Sequence, residues 1–408
     1  MVVVVDGGVV AVVVVREYDD EKDSVAVGKA ESRWESSGPC GKLSLQTDHL
    51  GDPICRVRHS PSRLMLVAEM VVVGGGEKEE KREIVGMIRG CVKNVSSGAS
   101  GSLVRVAYVL GLRVSPSHRR MGIGLNLVRR MEKWFVENGA EFSYMATEKD
   151  NKPSMDLFTR RCGYEEFRTP ALLVQPVFAH RLRIDRRVAV IELSPADAEV
   201  LYRRRFSGVE FFPMDIDAVL NNRLNLGTFL AVPRGSYAAG TWPGAGEFLR
   251  RPAESWAVVS VWNCKDVFRL RVRGASRVRK ALARTTRVVD RAFPCLRIPS
   301  VPEFFRPFGA HFLYGLGGCG PNAAKLTKAL CCVAHNLAMD SGCQVIATEI
   351  AAGDPLRAGI PHWKRLSCAE DQWCIKRLTQ EESAAAAAAA VSWTGGPPSS
   401  IFVDPREI

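Results

Sequence analysis

The alternation of apolar and polar positions predicts a strand, helix, strand unit near the middle of the first half of the chain. Residues 104–114 are rich in Val, Leu and Tyr, as is typical of a buried strand, and Ser115-Pro116 ends it. Apolar residues then recur at helical spacing: Leu127, Val128, Met131, Trp134 and Phe135. Gly139 ends this helix and a second strand follows at residues 142–147, so the pattern predicts a helical crossover between two strands.

Other elements are predicted before and after this unit. A strand at residues 12–17 leads into a helical region, and strands at 64–73 and 84–92 form a hairpin around a charged tip. A Ser/Gly-rich loop at 96–102 precedes the central strand, and extended segments reach about residue 178. The first half of the chain therefore has the order β, α, β, β, β, α, β, α, β.

The turn between the central strand and its helix has the pattern R-x-x-G-x-G, formed by Arg119, Gly122 and Gly124. Glycines at a helix N-terminus leave successive backbone N–H groups without an obstructing Cβ, which is the arrangement that binds phosphate. Arg119 and Arg120 add positive charge beside those amides. A turn of this kind often serves only to reverse the chain, but its place between a strand and a helix favours a pyrophosphate site.

The turn resembles motif A of the GCN5-related N-acetyltransferase (GNAT) family, which holds the pyrophosphate of acetyl-coenzyme A. The family motif N-x-x-A-x-x-L-Y-x-x-x-G-F is matched in order by Asn151, Ser154, Leu157, Phe158, Gly163 and Tyr164. The resemblance implies an α/β (α+β) GNAT fold, with a mixed, mostly antiparallel sheet flanked by helices, and transfer of an acetyl group to an amine. Phe158 departs from the motif, because it lacks the Tyr hydroxyl that protonates the leaving thiolate in many relatives.

The resemblance also implies a set of residues that bind acetyl-coenzyme A. They are Leu112, Val114, Arg119, Arg120, Met121, Gly122, Ile123, Gly124, Leu125 and Asn151. The backbone near Leu112 and Val114 would pair with the pantetheine arm and supply an N–H group for the developing oxyanion. The spacing of Cys and His residues predicts no metal site.

The groups that transfer protons are less clearly marked, because the central strand carries no acid where relatives often place a Glu. Glu148 is the first candidate for the base, since it follows the second strand near the expected cleft; a solvated strand-end carboxylate is an equal alternative. Tyr144 is a candidate proton donor in place of Phe158, although a Tyr within a strand is more often part of the core.

The second half of the chain repeats the order of elements found in the first. Its strands and helix fall at residues 188–193, 195–206, 227–232 and 256–262. Ala347-Thr348-Glu349 repeats Ala146-Thr147-Glu148 at an offset of 201 (347 minus 146), and a helix at 323–338 falls on the helix of the first copy. The chain is therefore predicted to contain tandem GNAT-like domains.

The predicted domain boundaries follow from this repeat. Residues 1–11 form a low-complexity extension, 12–180 the acetyl-coenzyme A-binding domain, and 187–380 a degenerate second copy with a basic helix inserted near 275–293. Residues 381–408, which include an alanine tract, form a low-complexity tail.

The second copy is predicted to bind no acetyl-coenzyme A. At the offset of 201, the cradle residues Arg119, Gly122 and Gly124 become Gly320, Ala323 and Lys325. Residues 315–320 read Gly-Leu-Gly-Gly-Cys-Gly, which formally matches a dinucleotide-binding motif. Pro321 and the position of the segment late in its domain disfavour that function.

Composition limits the classes of partner and compartment. The formal net charge of +12 favours acidic partners, including coenzyme A. The basic helix carries regularly spaced cations: Arg277, Lys280, Arg284, Arg287 and Arg291. A solvated helix face is the leading interpretation, and a docking site for chromatin or an acidic protein is the alternative. No segment is predicted to span a membrane or to be a signal peptide, and twelve Cys without paired spacing favour the reducing cytoplasm or nucleus.

Over nearly its whole length the chain also looks like the plant hookless-type probable N-acetyltransferases. The segments FRPFGAHFLYGLGGCGP and IPHWKRLSCAEDQWCIKRL are among those that carry this resemblance. It implies a nuclear or cytoplasmic protein that acts in auxin- and ethylene-responsive growth and acetylates protein or histone lysine. Two hypotheses stay open: an acetyltransferase that acts on a protein amine, and a catalytically weak or silent protein that uses the acetyl-coenzyme A pocket to sense or scaffold.

Overall fold

The computed structural model describes residues 2–5, 9–36, 43–73, 81–98, 103–237, 242–368, 370–378 and 400–408. Its strands are β1 Val2–Val5, β2 Val9–Glu17, β3 Ser44–Asp48, β4 Ser62–Val73, β5 Lys81–Ser97, β6 Leu103–Val114, β7 Phe142–Glu148, β8 Glu165–Arg168, β9 Ala171–Pro176, β10 Val188–Leu193, β11 Glu210–Pro213, β12 Asn225–Pro233, β13 Trp256–Asn263, β14 Arg269–Arg273, β15 Ala310–Cys319, β16 Val345–Ile350 and β17 Asp371–Arg377. Its α-helices are α1 Asp20–Ser36, α2 Ile123–Glu137, α3 Lys152–Met155, α4 Pro195–Phe206, α5 Ile216–Leu220, α6 Ala245–Arg250, α7 Arg277–Ala292 and α8 Ala323–Asp340.

Two mixed sheets contain most of these strands. Within the described residues the first sheet has the order β1-β2-β4-β5-β6-β7-β17-β8, with β11 beside β5, and the second has the order β10-β12-β13-β15-β16-β9. In each sheet one neighbouring pair is parallel, β6 with β7 and β15 with β16, whereas the other pairs are antiparallel. A long helix, α2 or α8, joins each parallel pair. The sheets confirm the predicted fold class of tandem GNAT-like units with helices against mixed, mostly antiparallel sheets.

Helix α2 packs against the first sheet through its predicted apolar stripe. Leu127, Val128, Met131 and Phe135 are fully buried. Gly90 on β5 allows the close approach, because a Cβ at that position would lie 2.7 Å from Met131 Sδ and from the Phe135 ring. Burying side chains of this size stabilises the packing by about 1.5–3 kcal/mol each. The N-terminus of α2 is therefore held in a fixed place beyond the end of β6.

The two sheets exchange strands, so the predicted ranges 12–180 and 187–380 do not describe strand membership. β9 lies within the first range but pairs with β16 in the second sheet. β17 lies within the second range but pairs with β7 and β8 in the first sheet. Hydrophobic alternation marks a strand without identifying its neighbour, because each exchanged strand has the same periodicity as a strand that stays in its own unit. The exchange brings residues of the second half next to β7.

Both segments predicted as low-complexity ends contain ordered structure. Residues 9–11 begin β2, and β1 pairs with that strand, so the described part of the extension belongs to the first sheet. Residues 401–407 are buried, and the Phe402 ring contacts Phe212 and Tyr314 in a core that both sheets share. The prediction of a low-complexity tail is wrong for these residues, because their apolar side chains complete that core. The alanine tract at 384–390 lies outside the described residues.

An ion-pair network fixes the C-terminal segment beneath the first sheet. Arg406 bridges Asp404 and Asp215, with Nη2–Oδ2 2.8 Å to Asp404 and Nη1–Oδ2 2.6 Å to Asp215. Lys93 of β5 pairs with Glu407 at 2.6 Å and with Asp404 at 3.3 Å. Except for the partly exposed Asp215, these side chains are almost completely buried. The network connects the end of the chain to β5 and to the turn before α5.

Among the helices of the described residues, none is long and apolar enough to cross a membrane.

Candidate functional site

The first sheet opens between its two parallel strands. β6 and β7 pair from Val106 with Phe142 to Val109 with Met145, and within the described residues this pairing ends there. β6 continues to Val114 with an irregularity in its pairing to β5, and Gly111 at this point has a positive φ of 62°. The β7-facing backbone groups of the last β6 residues are therefore not paired with β7, and they are the groups that a ligand strand or arm can reach.

Leu112 and Val114 lie on this open edge, as the sequence predicts for the pantetheine contact. Both are half-buried, and both pack partly against the core beneath α2. Gly111 has no room for a side chain, because a Cβ there would lie 2.6 Å from Nη1 of Arg89. Arg89 is itself held behind the strand by an ion pair to Glu31 at 2.8 Å. The irregular end of β6 is therefore supported from below and open towards β7.

The turn that follows β6 leaves the N-terminus of α2 without a capping side chain from its N-cap residue. Gly122 is the N-cap residue, has a φ of 79°, and makes no side-chain capping hydrogen bond. Arg120 also has a positive φ, 63°, which is uncommon for a residue with a side chain. The first turn of α2 contains no acidic residue. A helix N-terminus with these features carries a partial positive charge and is the kind of place where anions bind in proteins.

The remaining predicted cradle residues surround this helix end. Arg119, Arg120 and Gly122 are exposed, while Met121, Gly124 and Leu125 are half-buried and Ile123 is buried under the sheet. A Cβ on Gly124 would lie 3.4 Å from the Leu157 side chain and 3.6 Å from the Val114 side chain, so α2 begins close to the end of β6. Arg119 directs Nε towards the Val114 carbonyl at 3.5 Å. The structure thus places these predicted residues together at the N-terminus of α2, with the Ile123 side chain in the core.

Asn151 lies at the end of β7, where it caps α3. Its side chain accepts a hydrogen bond from the Ser154 N–H at 3.4 Å and donates to Thr147 Oγ1 at 3.1 Å. Phe158 is buried and packs edge-on against Tyr164. The second family motif therefore sets the geometry at the end of β7, and its Phe158 side chain faces the core beneath α2.

Tyr144 is a core residue, which is the second of the two possibilities that the sequence leaves open for it. It is 1% exposed, and its hydroxyl donates to Glu407 Oε2 at 2.7 Å. Its ring lies between those of Tyr108 and Trp373, at centroid distances of 4.7 and 5.5 Å. Burial raises the pKa of Tyr144 well above its ordinary value. The prediction that Tyr144 donates a proton in the cleft does not fit this geometry.

Glu148 is exposed at the last position of β7, opposite Asp371 on β17. The structure shows no other polar contact of its side chain within the described residues, so its geometry agrees with a solvated strand-end carboxylate. Its predicted role as the base stays a prediction.

The glycines of the second half serve close packing. Gly315 and Gly317 lie on β15. A Cβ on Gly315 would lie 2.5 Å from the Tyr202 hydroxyl oxygen, and a Cβ on Gly317 would lie 2.3 Å from the Phe206 ring. A Cβ on Gly320 would lie 2.1 Å from the Glu254 carbonyl oxygen. Side chains of α4 therefore fill the space beside β15. In the first half, the corresponding space beside β6 is open. The dinucleotide-binding alternative fails for the same reason.

The basic helix exists as α7, but one of its predicted cations is not on the surface. Arg287 is buried, and its Nη1 donates to the Val177 carbonyl at 2.6 Å. Asp290 on the same side accepts from His180 and Ser300. Arg287 must therefore be removed from the predicted docking face. The other cations of that face remain exposed: Arg277, Lys280, Arg284 and Arg291.

A second group of residues, which the sequence did not predict, lies beside the opening. Glu349 on β16 accepts a hydrogen bond from Trp373 Nε1 at 2.9 Å, and Trp373 pairs with Ala146 of β7. Burial raises the pKa of Glu349 to about 8, and the charge of Asp371 adds to the rise. The repeated Ala-Thr-Glu triplet contains Glu349, so the signal was present, but only the exchange of β17 shows that it lies near the first copy. Within the described residues, no group of three or more side chains could hold a metal ion.

Comparisons with known proteins identify the family of this region. Residues 51–164, which include the whole cradle, match the Acetyltransferase (GNAT) family. The chain is 60% identical to Probable N-acetyltransferase HLS1 of Arabidopsis thaliana, over 97% of this chain and 99% of that protein. It is 42% identical to Acetyl transferase GW6a of Oryza sativa subsp. japonica, over 96% and 97% of the two chains.

Among solved structures, Saccharomyces cerevisiae N-myristoyltransferase with bound myristoyl-CoA has a TM-score of 0.51 at 9% identity, covering 90% of this chain and 79% of that one. The glucosamine N-acetyltransferase region of a fungal GH3 β-N-acetylglucosaminidase has a TM-score of 0.54 at 12% identity, covering 90% and 38%. These two structures support the fold alone. Sequence identity over nearly the full length, together with the cradle, shows that the chain belongs to the GNAT family of N-acetyltransferases and is similar to the plant hookless-type members.

Proposed function

We propose that this protein transfers the acetyl group of acetyl-coenzyme A to a primary amine of another protein, a lysine side chain, with histone tails as the first acceptors to test. The observation that supports the proposal is the uncapped N-terminus of α2 at the end of the open β6 edge. That combination provides an anion site and a row of free strand groups in one line. A Ser, Thr, Asp or Asn at the N-cap would satisfy one of the first amides of α2 from its side chain, whereas Gly122 leaves them to a ligand or to water.

The residues around the opening fit acetyl-coenzyme A. The amides of residues 121–125 and the guanidinium groups of Arg119 and Arg120 would hold the pyrophosphate. The backbone at Leu112 and Val114 would pair with the pantetheine arm, and a strand N–H there would stabilise negative charge on the carbonyl oxygen. Acetyl-coenzyme A supplies the thioester that the acceptor amine attacks. The half-buried walls of the opening reduce contact with water.

Acceptor-dependent release of thiol tests this function. The purified chain is mixed with acetyl-coenzyme A and histone H3 or H4 tail peptides, and free coenzyme A is followed with a thiol reagent while mass spectrometry detects acetyl-lysine. We expect thiol release that depends on the peptide. Binding of acetyl-coenzyme A without peptide-dependent release from histone tails or plant protein extracts would instead support the second hypothesis.

The second hypothesis is a regulatory protein that binds acetyl-coenzyme A without efficient turnover. Two features favour it: β6 carries no acidic residue, and Phe158 offers no hydroxyl. The hypothesis predicts a conformational or binding change on addition of coenzyme A. Protection of α2 amides from hydrogen exchange, with no acetylated product, would be its signature.

Our proposal extends to the setting in which the protein works. We infer a nuclear or cytoplasmic protein that acts in auxin- and ethylene-responsive growth, and the support for this is its resemblance to the plant hookless-type proteins. Fluorescent tagging of the full chain in plant cells tests the compartment, and loss-of-function plants treated with either hormone test the growth response.

The exposed cations of α7 are proposed to contact chromatin or another acidic partner. Replacing Arg277, Lys280 and Arg284 together with Gln should weaken binding to duplex DNA, because each phosphate contact contributes about 0.9 to the slope of log K against log salt. Fluorescence anisotropy over a salt series measures both quantities. The control variant has the same change in net charge, because three exposed arginines outside α7 are replaced with Gln: Arg183, Arg186 and Arg187. Equal effects of the two triple variants would show that only net charge matters.

A further inference from the structure

Two carboxyl groups near the opening differ from the buried acids around them. Within the described residues, neither Glu349 nor Asp371 has an ion pair. By contrast, several other acids with little exposure are matched by cations: Glu31 by Arg89, Asp404 by Arg406 and Lys93, Glu407 by Lys93, and Glu210 by Arg168. A carboxyl group that is largely removed from water and makes no ion pair costs stability, which favours a role for it other than folding.

The position of Glu349 is set by the strand exchange. It lies near the end of β16 in the second sheet, and Trp373 of β17 fixes its Oε1 by donating from Nε1 at 2.9 Å. Trp373 pairs with Ala146, the first β7 residue beyond the last β6–β7 pair. The Trp373 ring stacks on Tyr144, which stacks on Tyr108 of β6. The carboxylate therefore lies beside the part of the sheet where β6 and β7 separate.

One polar group near this carboxylate lacks a hydrogen-bond partner. Within the described residues the half-buried Tyr108 makes no hydrogen bond through its hydroxyl, and its ring stacks on Tyr144, which stacks on the Trp373 ring that holds Glu349. Burial raises the pKa of Tyr108, and the charges of Glu407, Glu349 and Asp371 add to the rise while that of Arg56 opposes it. The half-buried Glu349 carboxyl group, which has no ion pair, and the Tyr108 hydroxyl, which has no hydrogen bond, are groups whose hydrogen bonding a polar ligand would complete.

We propose that Glu349 accepts the proton of the acceptor amine, so that the second half of the chain, which has lost its own cofactor cradle, supplies the base for the first half. The proposal rests on the proposed acetyl transfer and assigns its proton-accepting group. The carboxyl groups of Glu349 and Asp371 also select for a cationic acceptor, such as a lysine side chain, over a neutral alcohol.

The chemical step balances without any further reactant. The acceptor arrives as an ammonium ion and gives one proton to the Glu349 carboxylate. The amine nitrogen then forms a bond to the acetyl carbon while the carbon–sulfur bond breaks and its electron pair leaves with sulfur. The second nitrogen proton passes to that sulfur. The products are the amide, coenzyme A thiol and one proton, which Glu349 releases to water.

The acidity of Glu349 suits this task. Burial raises its pKa to about 8, Asp371 adds to the rise, and the N–H of Trp373 opposes it. A base is most effective when its pKa lies near the working pH. As pH rises through the pKa of Glu349, the fraction of carboxylate rises, so the rate should increase from pH 6 to about pH 8. The charge of Glu407 also raises the pKa of Glu349, and the charge of Glu349 in turn raises the pKa of Tyr108.

The variant Glu349→Gln tests the assignment. With a histone H3 tail peptide as the probe, we expect kcat to fall by roughly 100-fold or more, in line with loss of a general base. The affinity for coenzyme A, measured by calorimetry, should stay within about twofold because Glu349 is not part of the cradle. The alkaline rise of the rate should also disappear, and Glu349→Asp should recover part of it. Glu192→Gln, an exposed carboxylate on β10 of the same sheet, is the matched control and should behave as the wild type.

The outcomes separate this proposal from the proposed function. An active wild type whose rate survives Glu349→Gln, or falls with Glu148→Gln instead, overturns the assignment and leaves acetyl transfer standing. A wild type that binds coenzyme A but acetylates no lysine in histone tails or plant extracts contradicts the proposed function, and the role of Glu349 fails with it. Loss of coenzyme A affinity together with rate in Glu349→Gln would show a structural role, which also overturns the assignment.

Discussion

Gly122→Glu should abolish binding of coenzyme A while leaving the fold intact. Gly122 is the exposed N-cap residue of α2, with a φ of 79° and no side chain over the first amides of the helix. A Glu side chain there adds bulk and negative charge where a pyrophosphate would bind, and its carboxylate can itself cap the helix. Calorimetry with coenzyme A should give no measurable heat of binding. Acetyl transfer should be lost together with binding.

The control for this variant must carry the same backbone strain and the same added charge. Gly342 follows α8 with a φ of 72°, is exposed, and has nothing within 4 Å of a Cβ position. Gly342→Glu therefore imposes a similar cost for a left-handed non-glycine residue, about 1 kcal/mol or somewhat more, far from the cradle. Both variants should lose similar stability in thermal unfolding, and Gly342→Glu alone should bind coenzyme A normally. Undiminished affinity in Gly122→Glu would contradict the cradle assignment.

The features that the sequence predicted correctly are local ones. The strand, turn and helix around Gly122 and Gly124 depend on residues close together in the chain, so apolar periodicity and glycine positions suffice to place them. The duplication was also visible, because each half carries the complete order of elements. The fold class and the strand, turn and helix that carry the predicted cradle could therefore be predicted before any tertiary contact was known.

The features that the sequence did not predict depend on contacts between distant segments. β17 pairs with β7 in the first sheet, although more than two hundred residues separate Asp371 from its partner Glu148 in the sequence. Strand periodicity cannot indicate which strand will be the neighbour. The same exchange buries Tyr144 against Trp373 and brings Glu349 next to β7. Arg287 follows the spacing of the exposed cations, yet α7 packs through that position. Spacing defines a helix face, but only packing decides which face is buried.

Arg406→Met should lower the free energy of unfolding by about 3–5 kcal/mol, because it removes one partner from a buried ion-pair network. Burial alone would raise the pKa of Asp404, but the charges of Arg406 and Lys93 hold it well below its ordinary value. Without the guanidinium, Asp404 keeps Lys93 at 3.3 Å as its one ion-pair partner among the described residues, together with the backbone N–H of residue 406 at 3.1 Å. The carboxylate oxygens of Asp215 lose two hydrogen bonds. Chemical denaturation of both proteins at pH 7 measures the difference.

An exposed ion pair provides the control for the loss of an arginine. Arg181 pairs with Asp340 at 2.7 Å with both side chains about half exposed, so Arg181→Met should cost no more than about 1 kcal/mol. Adding Asp404→Asn to Arg406→Met should restore part of the lost stability, since it removes the uncompensated charge. A single variant that unfolds like the control would show that the network contributes little.

The network also links stability to the proposed chemistry. Arg406 holds the segment that carries Glu407, and Glu407 accepts the Tyr144 hydroxyl beneath Trp373, the residue that orients Glu349. Arg406→Met should therefore reduce kcat even where the protein remains folded, with little change in the affinity for coenzyme A. A variant that loses stability but keeps the full rate would show that the C-terminal segment supports the fold without positioning the base.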